Sequence, residues 1–77
     1  MKIKVVVTLK EGVLDPQGKA IQQTLNGMGF SNVNGIRQGK YFDVDINESD
    51  ETKAKLKVEE MCKKLLANLV IEDFKVL

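Results

Sequence analysis

The sequence has 77 residues, a formal net charge of +1, 43% hydrophobic and 30% charged residues. That is enough chain for one small globular domain with a modest core, and its charge offers no bulk field to draw in nucleic acid or an anionic membrane. Cys62 is the only cysteine and there is no histidine, so a disulfide framework, a zinc set and any histidine-based triad are excluded.

Lys2 to Lys10 read as the first strand. Ile3, Val5, Val7 and Leu9 alternate on one face, and Lys2, Lys4, Thr8 and Lys10 take the other, broken by Val6. Met1-Lys2-Ile3-Lys4 runs straight into this pattern without a signal-peptide h-region, and no apolar run approaches membrane-spanning length, so the cytoplasm is the default location. Glu11 to Ala20 reads as a loop closing onto a helix start. Asp15 is placed to cap, Pro16 fits N1, and Gly18 in the first turn lets another surface come close to the backbone. The first helix is expected from about Pro16 to Met28, with a stripe of Ala20 or Ile21, Leu25 and Met28. Gly29 and Phe30 fit a Schellman stop.

Val33 to Arg37 is expected as a weak second strand, because Val33 and Ile36 break strict alternation and Asn34-Gly35 suits a bulge. Gln38-Gly39 then reads as a hairpin turn. The third strand, Lys40 to Ile46, alternates cleanly with Phe42, Val44 and Ile46 inward. Ser49 or Asp50 can cap a second helix from about Glu51 to Ala67. Its stripe is Ala54, Val58, Met61, Cys62, Leu65 and Leu69, and Asn68 suits its end. A last strand, Val70 to Leu77, is apolar on both parities. The order β-α-β-β-α-β predicts an α+β, two-layer sandwich, ferredoxin-like or related. Two helices would lie on one face of a mostly antiparallel four-stranded sheet. The other face mixes charge with Val6 and Tyr41, and is either solvated or paired with a second copy.

No local spacing of residues marks a catalytic set. Cys62 lies on an apolar stripe, as a buried structural thiol does. Gly12 to Lys19 and Gly35 to Lys40 miss the P-loop spacing by one residue in opposite directions, and neither is followed by Ser or Thr. An RRM-like strand order is offset by Asp43 and Asp45, which would repel phosphates, and by a single outward aromatic, Tyr41. A dimeric regulatory domain of ACT type, binding a small molecule at a subunit contact, shares the order and is the leading reading from pattern alone.

One block is more specific. Leu-Lys-Glu-Gly-Val-Leu-Asp-Pro-Gln-Gly at Leu9–Gly18, followed by Ala20-Ile21, resembles the N-terminal signature of the PurS family, the small subunit of bacterial and archaeal phosphoribosylformylglycinamidine synthase. Gly29-Phe30, the stretch Val33 to Lys40, and Leu65-Leu66-Ala67-Asn68 through Phe74 extend the likeness over essentially the whole chain. The resemblance implies a subunit without an active site and with no bound cofactor or metal. It would serve a complex that makes formylglycinamidine ribonucleotide from formylglycinamide ribonucleotide, glutamine, ATP and Mg. It further implies a homodimer or tetramer that bridges a glutaminase (PurQ) and a synthetase (small PurL) and helps enclose the ammonia path. By residue match, the expected partner-contact residues are Asp15, Pro16, Gln17 and Gly18 in the loop, and Arg37, Gly39 and Lys40 in the hairpin.

Overall fold

Alternation decides the first element, and the sheet grows from it. The structure is a computed structural model that describes residues 1–77. Its elements are β1 (Lys2–Leu9), α1 (Pro16–Gly27), β2 (Gly39–Asp45), α2 (Glu51–Met61) and β3 (Glu72–Val76), with a π-helical turn, Cys62–Leu66, between the last two. Strand β1 is central. It pairs antiparallel with β2 on one side and β3 on the other, giving the order β2-β1-β3. The register sets Val5 opposite Phe42 and Val7 opposite Phe74, so the inward parities coincide across all three strands.

Helix α2 covers that inward face. Asp50 caps it, accepting the N–H groups of Thr52 at 2.9 Å and Lys53 at 3.2 Å. Ala54, Val58 and Cys62, four residues apart, are fully buried against Ile3, Val5 and Val7. Phe42, Val44, Ile46, Phe74 and Val76 pack around this centre. Of the expected stripe Ala54, Val58 and Cys62 face the sheet, whereas Met61 is 39% exposed. From Cys62 the π-turn widens the spiral, and Ala67 is buried while Leu65 is 83% exposed.

Three expectations need correction. The sheet has three strands, not four: Val33 to Gln38 is irregular, and Gln38-Gly39 is not a hairpin turn, because Gly39 opens β2 opposite Thr8. The segment is drawn instead toward the start of α1, as described below. Only α2 lies on the sheet. Helix α1 stops as expected, with Gly29 at φ 101° and Phe30 N–H donating to the Leu25 carbonyl at 3.0 Å. However, Gly18 is its only buried residue, and Ile21, Met28 and Phe30 are 41%, 68% and 53% exposed. The last strand is shorter than expected, beginning at Glu72 because Asn68–Ile71 forms a turn.

An arm standing off a sheet makes a long molecule. The extents are 49 × 24 × 14 Å and the radius of gyration is 15.9 Å, where a compact chain of this length has about 11–12 Å. The accessible surface is 5703 Å², against about 4700 Å² expected for a folded monomer of this mass.

Candidate interaction site

The arm is joined to the sheet by a buckle of polar groups. Asp15 has the extended backbone of an N-cap, with φ −108° and ψ 93°, and is only 6% exposed. One carboxylate oxygen, Oδ1, accepts the Gly18 N–H at 2.9 Å, closing the first turn of α1. The other, Oδ2, accepts the N–H of Gln38 at 2.7 Å. A single side chain thus caps a helix and holds a segment 23 residues away. Gly18 completes the fit, since a Cβ there would lie 2.1 Å from the carbonyl oxygen of Ile36. Beside it the Gln38 carboxamide donates to Gln17 Oε1 at 2.6 Å, and Arg37 Nη2 donates to the carbonyl of Lys10 at 3.1 Å.

Gly39 and Lys40 carry the arrangement into the sheet. A Cβ at Gly39 would lie 2.6 Å from the Val7 carbonyl oxygen, so the space it opens is filled by β1 itself. Lys40 Nζ stands 3.2 Å from Glu72 Oε2, and Glu72 Oε1 accepts the Asn68 N–H at 2.8 Å. Between these groups lies an open cleft of about 180 Å³, lined by Val7, Leu9, Asp15, Gln17, Gln38, Gly39, Lys40 and Glu72.

Both carboxylates of the cleft are held below their ordinary range. For Asp15 the first cause is the Gln38 N–H, then the Gly18 N–H, with partial burial opposing and the Arg37 charge adding. For Glu72 the first cause is the Asn68 N–H, opposed by partial burial and assisted by Lys40. Two carboxylates kept ionised, two carboxamides and a tethered ammonium are recognition groups for polar surfaces. Cys62 is apart from them. It is buried, and desolvation first, then the Glu59 charge, pushes its thiol up, the setting of an inert core thiol.

The structure therefore gathers all seven residues that the resemblance singled out, but divides their work. Asp15 and Gly18 face inward and hold the arm, and Gly39 admits the chain's own β1. Pro16, Gln17, Arg37 and Lys40 remain at the surface. Two members were missed. Gln38 contributes both its N–H and its side chain, and Glu72 closes the far wall. Glu72 carried a signal, since it shares the inward parity of Phe74 and Val76, where a carboxylate needs partners. Gln38 carried none, because its partner is distant in the chain.

The chain is thus a small three-stranded sheet with one covering helix, a helical arm outside the core and a polar cleft at their junction. The comparisons name its kind. A family model described as PurS, phosphoribosylformylglycinamidine (FGAM) synthase, matches residues 2–77. The PurS subunit of Bacillus subtilis (strain 168) is 53% identical over 74 residues, covering 96% of this chain and 87% of that one. The crystal structure of Methanocaldococcus jannaschii PurS is similar with a TM-score of 0.89 at 49% identity, covering 99% of this chain and 92% of that one. A chain in the structure of PurLQS from Thermotoga maritima is similar with a TM-score of 0.89 at 29% identity, covering 99% and 93%. The chain belongs to the PurS family and is a subunit of FGAM synthase, a ligase complex of purine biosynthesis. These relatives do not favour the ACT-type regulatory reading.

Proposed function

We propose that this chain acts as a homo-oligomeric connector in the cytoplasm, bridging a PurQ glutaminase and a PurL synthetase and helping to enclose the ammonia that passes between them. The ATP, Mg and glutamine used by the complex are handled by those subunits, and this chain supplies surfaces. One observation carries the reading. The chain leaves about 1000 Å² more surface in water than a compact monomer of its mass, and a standard interface covers about 800 Å² per partner. Helix α1 takes part in that excess, since Ile21, Leu25 and Met28 lie outside the core cluster and Ile21 and Met28 are 41% and 68% exposed. A second copy is the proposed cover for that arm. The pairing of PurS with PurL and PurQ in the Thermotoga maritima PurLQS structure supports the wider assembly.

At the arm's base, Pro16, Gln17, Arg37 and Lys40 are proposed as partner contacts, with Asp15, Gly18 and Gly39 holding them in place. No helix of the chain is long and apolar enough to cross a membrane. The test mixes the purified chain with PurL and PurQ subunits, glutamine and Mg-ADP, and measures mass by light scattering during size exclusion. A parallel assay with ATP follows glutamine-dependent synthesis with and without the chain. Co-elution and a requirement for the chain are expected. An oligomer that ignores both subunits would refute the connector role.

A further inference from the structure

The chain contains two Asn-Gly steps, Asn26-Gly27 and Asn34-Gly35, and the fold treats them differently. Glycine after asparagine leaves the backbone nitrogen least hindered and the main chain freest to fold back onto the side chain. Asn26-Gly27 closes α1, where the helix fixes the backbone and ties each N–H four residues back. Asn34-Gly35 lies in the irregular residues 33–38, and both of its residues are exposed. The Gly35 N–H donates to no backbone carbonyl, and a group at its Cβ position would meet nothing within 4 Å. The step is nonetheless held on both sides. The Val33 carbonyl accepts Gln22 Nε2 at 3.3 Å, and the Gln38 N–H donates to Asp15 at 2.7 Å. Asn34-Gly35 is the free crown between these two ties.

We propose that Asn34-Gly35 is a self-modifying site that deamidates through a succinimide and thereby slackens the hold on α1. The Gly35 nitrogen gives its proton to hydroxide and attacks Cγ of Asn34. The N–Cγ bond forms, the Cγ–Nδ2 bond breaks, and ammonia leaves with a proton taken from water. Water then opens the ring at one of its two carbonyls. The balance is one water in and one ammonia out, with no change of oxidation state. Opening at Cγ leaves an aspartate. Opening at the backbone carbonyl leaves an isoaspartate, whose main chain runs through Cβ and Cγ and is one atom longer. Either product adds a carboxylate and cancels the chain's formal net charge of +1. The extra atom enters between the two ties, next to the Ile36 carbonyl against which Gly18 packs. A link of the wrong length pulls the Gln38 N–H out of line with Asp15, and a misaligned hydrogen bond weakens steeply. Asn26 is spared, because its helical turn must open before the Gly27 nitrogen can attack.

The experiment ages the purified full chain in warm, mildly alkaline buffer and maps it by peptide mass spectrometry. A methyltransferase that labels only isoaspartate scores that linkage. Conversion at Asn34 is expected at least about tenfold faster than at Asn26. Gly35→Ala meets no obstacle in the fold and crowds the attacking nitrogen, so it should slow conversion at least about tenfold and leave the melting of fresh chain unchanged. The isoaspartate form, separated by ion exchange, should melt about 4–8 °C below fresh chain at the same concentration, the shift for one lost hydrogen bond. Asn34→Asp brings the charge without the added length and should melt with fresh wild type. Conversion at Asn26 as fast as at Asn34, or Gly35→Ala converting at the wild-type rate, overturns the site. An isoaspartate form that melts with fresh chain overturns the slackened hold. An Asn34→Asp chain that melts as low as the isoaspartate form assigns the effect to charge and overturns the role of the longer link.

Discussion

The same substitution at two glycines of α1 should move stability in opposite directions. At Gly18 a new methyl meets the Ile36 carbonyl oxygen at 2.1 Å and Asp15 Oδ2 at 3.0 Å, whereas at Gly27 nothing lies within 4 Å. The obstacle at Gly18 is backbone, so relief requires the segment before β2 to retreat from 2.1 Å toward the 3.4 Å of ordinary contact. Such a retreat is too large for the 2.7 Å bond between the Gln38 N–H and Asp15 to survive in place. Overpacking of this kind costs up to about 3 kcal/mol, and the better helix propensity of alanine returns about 1 kcal/mol. Gly18→Ala is therefore expected to lose about 2 kcal/mol, which for a chain of this size lowers Tm by about 8–16 °C. Gly27→Ala, free of any clash, is expected to gain about 0.5 kcal/mol and raise Tm by a few degrees, at about 4–8 °C per kcal/mol. Thermal unfolding followed by circular dichroism at one fixed chain concentration decides it, because association makes Tm concentration-dependent. A Gly18→Ala chain that melts with or above wild type would refute the close packing of α1 against the Ile36–Gln38 segment. A fall at both sites would show that glycine is needed along α1 for a reason other than that contact.

Three further outcomes are expected. Asp15 and Glu72 are held below their ordinary values of 3.8 and 4.5. A folded value below the unfolded one stabilises fully above the unfolded value and is lost as pH falls through the folded one, so urea midpoints should drop on acidification below those values, and Asp15→Asn should flatten part of that drop. Val58→Ala, at a fully buried site, should cost about 2 kcal/mol, while Leu65→Ala, at the exposed side of the π-turn, should stay within about 0.5 kcal/mol; equal losses in denaturant titrations would contradict the turn's phase. Cys62, fully buried with its thiol pushed up, should resist a thiol reagent in the native chain and react rapidly in urea; fast native labelling would place it nearer the surface.

What was legible in the sequence was what local physics decides. The alternation of Ile3, Val5 and Val7, the caps Asp15 and Asp50, the Schellman stop at Gly29 and the Ala54, Val58, Cys62 spacing each need only a few neighbours to act. The misses fall where distant groups compete. Val33–Arg37 has enough strand character to be read as a strand, yet its neighbour Gln38 gives its N–H to Asp15 rather than to a sheet partner. Helix α1 shows a stripe at the right period, but periodicity records that a face is apolar and not what covers it. The last turn of α2 departs from the 3.6-residue spacing on which the reading of Leu65 depended.

The site teaches a narrower point about glycine and aspartate in a signature motif. Gly18 and Gly39 were read as places where another surface could come close, and in both cases the surface is this chain's own backbone, at Ile36 and at Val7. Asp15 was read as a helix cap and a partner contact; its first oxygen caps α1 and its second accepts the Gln38 N–H. A motif residue can thus be spent on the chain's own packing. The inward residues tie the start of α1 to the segment before β2, and that tie decides where Gln17 stands relative to Arg37 and Lys40. Substituting an outward residue should lower affinity and leave the fold alone, whereas substituting Asp15 or Gly18 should loosen the arm first and affinity as a consequence. Measuring stability and assembly on the same variants separates the two roles.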